Sequence, residues 1–101
     1  DMSDATFLAS RPSEDAALLL EVRNAIARFL DVPHVKVHRD LRLFDDLHID
    51  KLSPAFHFYV VDSVLATRKV IPQRFGLSVT GLNSIDDLSQ AILELEYSED
   101  F

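Results

Sequence analysis

The sequence predicts an all-α protein: a helical bundle of three main helices with a long first loop and room for one short additional helix. Three segments repeat apolar residues at the spacing of a helix face, and each begins at a residue typical of a helix N-terminus. Apolar residues make up 48% of the 101 positions, enough for one buried core. We therefore expect a single helical domain over residues 12–95.

Residues 1–11 show no sustained periodicity, so we expect a flexible leader ahead of the domain. The first helix is predicted over about residues 13–30. Ser13 is the expected N-cap, and Glu14 and Asp15 would face the positive end of the helix dipole. The residues of its buried face are Leu18, Val22, Ala25, Ile26, Phe29 and Leu30.

A long connection follows, because Pro33 pushes the residue before it out of the α region. Between residues 32 and 52 an apolar residue recurs every two or three positions, in the pattern of neither a strand nor a helix. A loose loop would have little use for so many apolar groups, so we expect this one to pack onto the domain. The apolar residues of this loop are Val35, Val37, Leu41, Leu43, Phe44, Leu47, Ile49 and Leu52.

The second helix is predicted to begin with Ser53 as N-cap and Pro54 at the first helical position. We expect it to end near Val70, or to kink at Pro72 and continue to Phe75. Apolar residues cover much of its surface, which is typical of a central helix. One buried stripe is formed by Phe56, Tyr59, Val60, Val64 and Leu65, and it is broadened by Phe58 and Val61.

The last helix is predicted to begin after Ser84, with Asp87 three residues later in an approximate capping box. Gly76 suits a left-handed position that closes the preceding helix. Residues 96–101 are acidic, and we expect them to fray as a C-terminal tail. The buried face of the last helix is formed by Ile85, Leu88, Ala91, Ile92 and Leu95.

Charge and composition exclude several function classes. Ten Lys and Arg against seventeen Asp and Glu give a net charge of −7, which disfavours a nucleic-acid partner because such a partner needs a positive surface. No stretch approaches the roughly 20 apolar residues of a membrane span, and the N-terminus lacks a signal pattern, so we expect a cytoplasmic protein. No catalytic motif is present, so we do not expect an enzyme.

Residues 46–52 carry the motif that suggests a family. They read Asp46-Leu47-His48-Ile49-Asp50-Lys51-Leu52. This stretch resembles the signature Asp-Leu-Gly-x-Asp-Ser-Leu of the acyl carrier proteins. The four matching positions are Asp46, Leu47, Asp50 and Leu52. His48 replaces the glycine, and Lys51 replaces the serine that carries phosphopantetheine at the start of the second helix.

The resemblance covers about residues 14–95 and implies an acyl-carrier-like helical bundle. Residues 74–79 resemble the end of the family's second helix, and residues 84–88 resemble the start of its last helix. Two features depart from the family. The segment between the motif and residue 75 is longer, and the second helix is not acidic.

Lys51 changes the chemistry that the resemblance implies. Transfer of phosphopantetheine needs a hydroxyl to attack coenzyme A, and a protonated lysine offers no lone pair. We therefore expect an acyl-carrier-like domain without this cofactor at Lys51. It would act on protein partners, such as acyl-transfer or biosynthetic enzymes, or hold an acyl ligand without a covalent bond.

Two other readings remain open. Ser63 follows an aspartate and is an alternative attachment site, which would make the chain a functional carrier, although it lies inside the predicted second helix. Ser53 is close to Lys51, but its position before Pro54 is typical of an N-cap. Alternatively, the chain is an unrelated helical interaction module whose second helix forms a dimer interface, so it would be a monomer or a weak dimer.

The acids of the motif also allow a metal site to be considered. Carboxylate oxygens suit a divalent cation, and His48 lies among them. However, acids ahead of a helix N-terminus are more often partners of the cap and the dipole, so we expect no metal. The acids concerned are Asp45, Asp46 and Asp50.

Overall fold

The computed structural model describes residues 1–70 and 78–98, and every regular element in these ranges is helical. In chain order they are α1 (Asp4–Ala9), α2 (Ala16–Leu30), a 3₁₀ turn (His34–Lys36), α3 (Pro54–Phe56), a π-helical segment (His57–Val61), α4 (Asp62–Thr67) and α5 (Ile85–Ser98). The all-α prediction is confirmed. Because α3, the π segment and α4 follow one another without a break, we call residues 54–67 the central helix. The core lies between α1, α2, the central helix and α5.

The first long helix begins slightly later than predicted. Asp15, not Ser13, is the N-cap of α2, and its Oδ1 accepts a hydrogen bond of 3.0 Å from the Leu18 N–H. The Ser13 hydroxyl instead accepts from the Asp15 N–H at 3.3 Å. The prediction of Ser13 as the cap is therefore wrong, because Ser13 forms a turn that precedes the helix. The helix ends at Leu30, as expected.

The N-terminal segment differs from the flexible leader expected for residues 1–11. Ser3 caps the short helix α1, and Phe7 on that helix is 0% exposed. The Phe7 ring contacts two guanidinium groups, with its centroid 4.4 Å from Arg23 Cζ and 5.4 Å from Arg39 Cζ. Buried aromatic area and two cation–π contacts hold this segment on the domain.

Arg23 and Arg39 are the fully buried charged residues of the described chain. Arg23 donates from Nε to the Val37 carbonyl at 3.0 Å, from Nη1 to Asp4 Oδ1 at 2.7 Å, and from Nη2 to the Met2 carbonyl. A buried charge is tolerated only when it is paired and hydrogen-bonded, and the N-terminal segment supplies two of these three partners, Met2 and Asp4.

Arg39 makes the equivalent link to the other end of the chain. Its Nη1 donates to the Phe7 carbonyl at 2.7 Å, and its Nε lies 2.8 Å from Asp86 Oδ1 on α5. The two arginines therefore connect the N-terminal segment, α2, the long loop and α5.

The long loop packs onto the domain, as predicted. Val37, Leu43 and Ile49 are buried in the core. The loop is also tied to the start of α5, because the Leu43 N–H donates to the Asn83 carbonyl at 2.9 Å beside an isolated bridge between residues 42 and 84. Phe44 and Leu52 do not follow the expectation and project into solvent.

The central helix begins where predicted but buries a different set of residues. Phe56, Val60, Val61, Val64 and Leu65 are buried, whereas Phe58 and Tyr59 are 64% and 61% exposed. The prediction that Tyr59 belongs to the buried stripe is wrong because the π segment winds more residues into each turn. The Asp62 N–H donates to the His57 carbonyl, five residues earlier. Tyr59 therefore does not return to the face of Phe56.

The central helix ends at Thr67, before the predicted end near Val70. Lys69 is left-handed with φ 62°, and the Val70 N–H donates to the Leu65 carbonyl at 2.9 Å, which is the pattern of a Schellman C-cap. The alternative of a kink at Pro72 with continuation to Phe75, and the left-handed role expected of Gly76, lie outside the described residues.

The capping box of the last helix is confirmed. The Asp87 N–H donates to Ser84 Oγ at 3.0 Å, and Asp87 Oδ2 accepts from the Ser84 N–H at 3.0 Å. The helix then continues to Ser98, so the predicted acidic tail at residues 96–101 begins inside α5 rather than after it.

We predict that Phe7→Ala lowers the free energy of unfolding by about 3–5 kcal/mol, because it empties a buried aromatic site in contact with two guanidinium groups. Urea denaturation measures the change. Phe44→Ala is the matched control: it removes an aromatic ring that is 68% exposed and should change stability by less than about 0.5 kcal/mol. Equal effects of the two variants would contradict the structural role of Phe7.

Asp87 gives a pH-dependent prediction. Its burial alone would raise the pKa of the carboxyl, but hydrogen bonds with the Ser84 and Asn83 backbones and the Ser84 side chain, with the charge of Arg42, hold the pKa below its usual range. A carboxyl whose pKa is lowered by folding stabilises the fold above its unfolded pKa, about 3.9, and this contribution is lost as the pH falls through the folded value.

Asp87→Asn should therefore cost about 1 kcal/mol near pH 6, and the cost should shrink steadily below pH 4. Denaturant titrations at several pH values measure it. Asp45→Asn, at an exposed acid, is the control and should show no such trend. A cost that stays constant down to pH 2.5 would contradict the assignment.

Candidate functional site

The motif residues form a tight turn immediately ahead of the central helix. Asp46 Oδ2 accepts a hydrogen bond of 2.7 Å from the Arg42 N–H, which closes the first part of the turn. His48 is left-handed with φ 57°, and its N–H donates to the Phe44 carbonyl at 3.0 Å. The chain thus reverses direction at His48, and Ile49 returns to the core with its N–H 2.7 Å from the Leu43 carbonyl.

Asp50 and Ser53 prepare the start of the central helix. Asp50 Oδ1 accepts from the Leu52 N–H at 2.9 Å, and the Asp50 carbonyl accepts from the Ser53 N–H at 3.0 Å. Ser53 Oγ in turn accepts from the Phe56 N–H at 3.4 Å. The prediction of Ser53 as the N-cap is confirmed, and the hydroxyl has a structural role at the helix start.

Lys51 lies at the centre of this turn and is half-buried. Its carbonyl oxygen is 2.6 Å from His57 Nε2, an arrangement in which the imidazole N–H donates and holds the turn against the helix. The Lys51 ammonium makes no ion pair with another residue of the described ranges. The backbone of Lys51 is therefore held in place by His57, while its ammonium is not paired with a carboxylate of the described residues.

A pocket of about 260 Å³ lies beside Lys51. The residues that line it are Arg42, Leu43, Phe44, Asp45, Ile49, Asp50, Lys51, Leu82 and Asn83. Both signs of charge are present, two cations and two carboxylates. Sequence reasoning found the motif residues of this pocket but missed Arg42, Leu82 and Asn83, because only the fold brings the start of α5 beside the loop.

The other motif positions divide between core and surface. Leu47 is half-buried and packs against the core, so it anchors the turn to the core. Leu52 is 67% exposed, and Phe44 from the pocket wall also projects outward. Two large apolar side chains therefore lie in solvent close in sequence to Lys51.

The acids do not gather around a cation. Asp46 and Asp50 are used as acceptors for backbone N–H groups within the loop. In the described part of the chain, no group of three or more His, Asp or Glu side chains is arranged to hold a metal ion. Asp45, Asp46, Asp50 and His48 are thus placed as turn residues.

Ser63 lies apart from the motif. It belongs to α4, in the body of the central helix, and is half-buried. Its carbonyl accepts from Thr67 Oγ1 at 3.1 Å. The side chain lines a different depression, together with Arg28, Phe58 and Tyr59. The structure does not bring Ser63 to the turn that contains Lys51.

A comparison with protein-family models, curated proteins and solved structures finds no match for this chain. Among the described residues, no helix combines the length and apolar character that crossing a bilayer requires.

We predict that position 48 tolerates glycine but not a β-branched residue, because its φ is 57°. A left-handed φ costs a residue with a side chain about 1 kcal/mol and is worst for β-branched residues, whereas glycine adopts it freely at some cost in unfolded-state entropy. His48→Gly should therefore be about as stable as the wild type, and His48→Val about 1–2 kcal/mol less stable by urea denaturation.

His34 provides the comparison, because it is an exposed histidine of the 3₁₀ turn without positive φ. There the glycine variant should not exceed the valine variant in stability. If His48→Val equalled His48→Gly, the left-handed turn ahead of Lys51 would be contradicted.

Proposed function

We propose that this chain is a non-catalytic, acyl-carrier-like domain that carries no phosphopantetheine at position 51 and acts through contacts with protein partners. The observation that carries the proposal is the chemistry of Lys51. An ammonium stands in the turn directly ahead of the central helix, where a carrier of the family would present a hydroxyl. Without an oxygen nucleophile at this position, the arm cannot be attached there.

The backbone around Lys51 supports the resemblance to a carrier site. His48 stands where the family has glycine, and its φ of 57° is the conformation that glycine favours. Asp50 stands where the family has the aspartate before the serine, and its carboxylate accepts the Leu52 N–H. The turn thus has local features that suit the family motif, although the reactive side chain differs.

At the turn itself, the size of the pocket beside Lys51 favours protein contact over ligand holding. Sites for small molecules usually occupy about 300–1,000 Å³. The pocket beside Lys51 measures about 260 Å³ and is lined by four charged side chains, so it is a poor container for an acyl chain.

Exposed apolar side chains next to the pocket suit a protein surface instead. Phe44 and Leu52 are each about two-thirds exposed, and exposed apolar groups rimmed by charges are typical of protein contact sites. Asp45 and Lys51 provide charges of both signs beside them. A partner would cover the two apolar side chains and pair with these charges.

The alternative carrier reading, with Ser63 modified, has less support. Ser63 is half-buried within the central helix, whereas attachment of a long arm needs a hydroxyl that an enzyme can reach. Ser53 is engaged as the N-cap, which also disfavours it.

Coexpression with a broad-specificity phosphopantetheinyl transferase, followed by intact-mass measurement, tests the proposal. The wild type should show no gain of phosphopantetheine mass, and Lys51→Ser should show a gain, because the turn would then present a hydroxyl. Ser63→Ala and Ser53→Ala are the controls that locate any modification of the wild type.

A phosphopantetheine adduct on the wild type would overturn the non-carrier reading. If Lys51→Ser folded normally and remained unmodified, the likeness of the turn to a carrier site would be refuted. The two outcomes therefore test the two halves of the proposal separately.

A further inference from the structure

An apolar groove runs along the outer side of the central helix, away from the residues of the motif. It has a volume of about 820 Å³, and its lining residues come from the C-terminal half of α2 and from the central helix. They are Arg28, Phe29, Ala55, Phe58, Tyr59, Asp62, Ser63 and Ala66. Five of these eight residues are aromatic or alanine.

The π segment creates the apolar surface of this groove. Phe58 and Tyr59 both belong to this segment, and their side chains are 64% and 61% exposed. The Phe58 and Tyr59 rings stack edge to face, with centroids 4.9 Å apart and an interplanar angle of 84°. Two rings that are largely exposed and fixed against each other are typical anchors of a protein interface.

Two opposite charges accompany the aromatic pair. Arg28 comes from α2 and Asp62 from the central helix, and both line the groove. Neither makes an ion pair with another residue of ranges 1–70 and 78–98. The groove thus carries one cation and one anion and is neutral, although the chain as a whole has a net charge of −7.

We propose that this groove is a self-association surface and that a second copy of the chain occupies it in a two-fold dimer. In a two-fold interface the same surface of each copy meets itself. With the axis between the two charges, Arg28 of one copy meets Asp62 of the other, and the same pair forms twice. The aromatic residues of both copies are covered at the same time.

Charge makes this groove a better self-association surface than the exposed pair Phe44 and Leu52. Phe44 and Leu52 lie in a loop that also carries Asp45, Asp46 and Asp50, against Arg42 and Lys51, so two copies meeting there would oppose an excess of acids. A net charge of −7 repels a second copy over most of the surface. The neutral groove avoids that repulsion and supplies matching charges.

The raised pKa of the Asp62 carboxyl agrees with its pairing to Arg28 of a second copy. Its burial raises the pKa of the carboxyl above the usual value, and the nearby charge of His57 offsets this only in part. Such a carboxylate gains from an additional cation, which Arg28 of a second copy provides. The dimer is independent of the chemistry at position 51, so it can be tested separately from the carrier-like role.

Sedimentation velocity of the full chain between about 1 μM and 1 mM tests the proposal. A reversible dimer with a dissociation constant in about the micromolar range is expected, since a single groove buries less area than large permanent interfaces. Phe58→Glu should weaken the dimer at least about tenfold, because it places a charge in the apolar centre. Phe44→Glu, at an aromatic of equal exposure outside the groove, should leave the dissociation constant unchanged.

Charge exchange tests the orientation. Asp62→Arg alone should weaken association roughly tenfold, because both ion pairs are lost and like charges are opposed. Combining it with Arg28→Asp should restore the wild-type dissociation constant within about threefold. Circular dichroism of each variant establishes that the helical fold is retained.

A wild type that remains monomeric up to 1 mM would overturn the proposal, as would a dimer insensitive to Phe58→Glu. Failure of the folded double variant to recover association would overturn the Arg28–Asp62 pairing. None of these outcomes depends on whether phosphopantetheine can be attached.

Discussion

The fold depends on two guanidinium groups buried in its interior. Arg23 and Arg39 contact the Phe7 ring, and each also binds backbone carbonyls or carboxylates from distant parts of the chain. A buried charge is costly unless it is fully bonded, so each arginine requires its partners to be in place. The core can therefore form only when α1, α2, the long loop and α5 come together.

The position of the candidate site follows from the same contacts. Arg39 binds Asp86 at the start of α5, next to the capping box of that helix. The residue before the box, Asn83, accepts the Leu43 N–H and so fixes the base of the turn that carries Lys51. Contacts between the long loop and the start of α5 thus determine where the motif is presented.

Much of the fold could be predicted because its signals are local. The capping box of Ser84 and the N-cap of Ser53 depend on residues within one helical turn, and both are present in the structure. The N-cap of α2 was predicted two residues too early, because Ser13 and Asp15 are both typical capping residues. The all-α class followed from periodicities that extend over several turns, which tertiary packing seldom overrides.

The rest could not be predicted because it depends on contacts between distant residues. α1 is too short to show a periodicity, and a buried arginine looks like a surface charge in the sequence until its partners are known. Likewise, the motif identified Lys51 and its neighbours as candidate site residues. Asn83 also lines the pocket, but it lies more than thirty residues further along the chain. The π segment gave no signal, because its residues are as apolar as those of an ordinary buried helix.

The π segment changes the register of the central helix by one residue. It holds one more residue than the regular α-helical turns would need, and the surplus is accommodated between Phe56 and Asp62 without loss of the buried face on either side. Shortening the segment by one residue would return the helix to α geometry and keep the core positions on its two sides aligned.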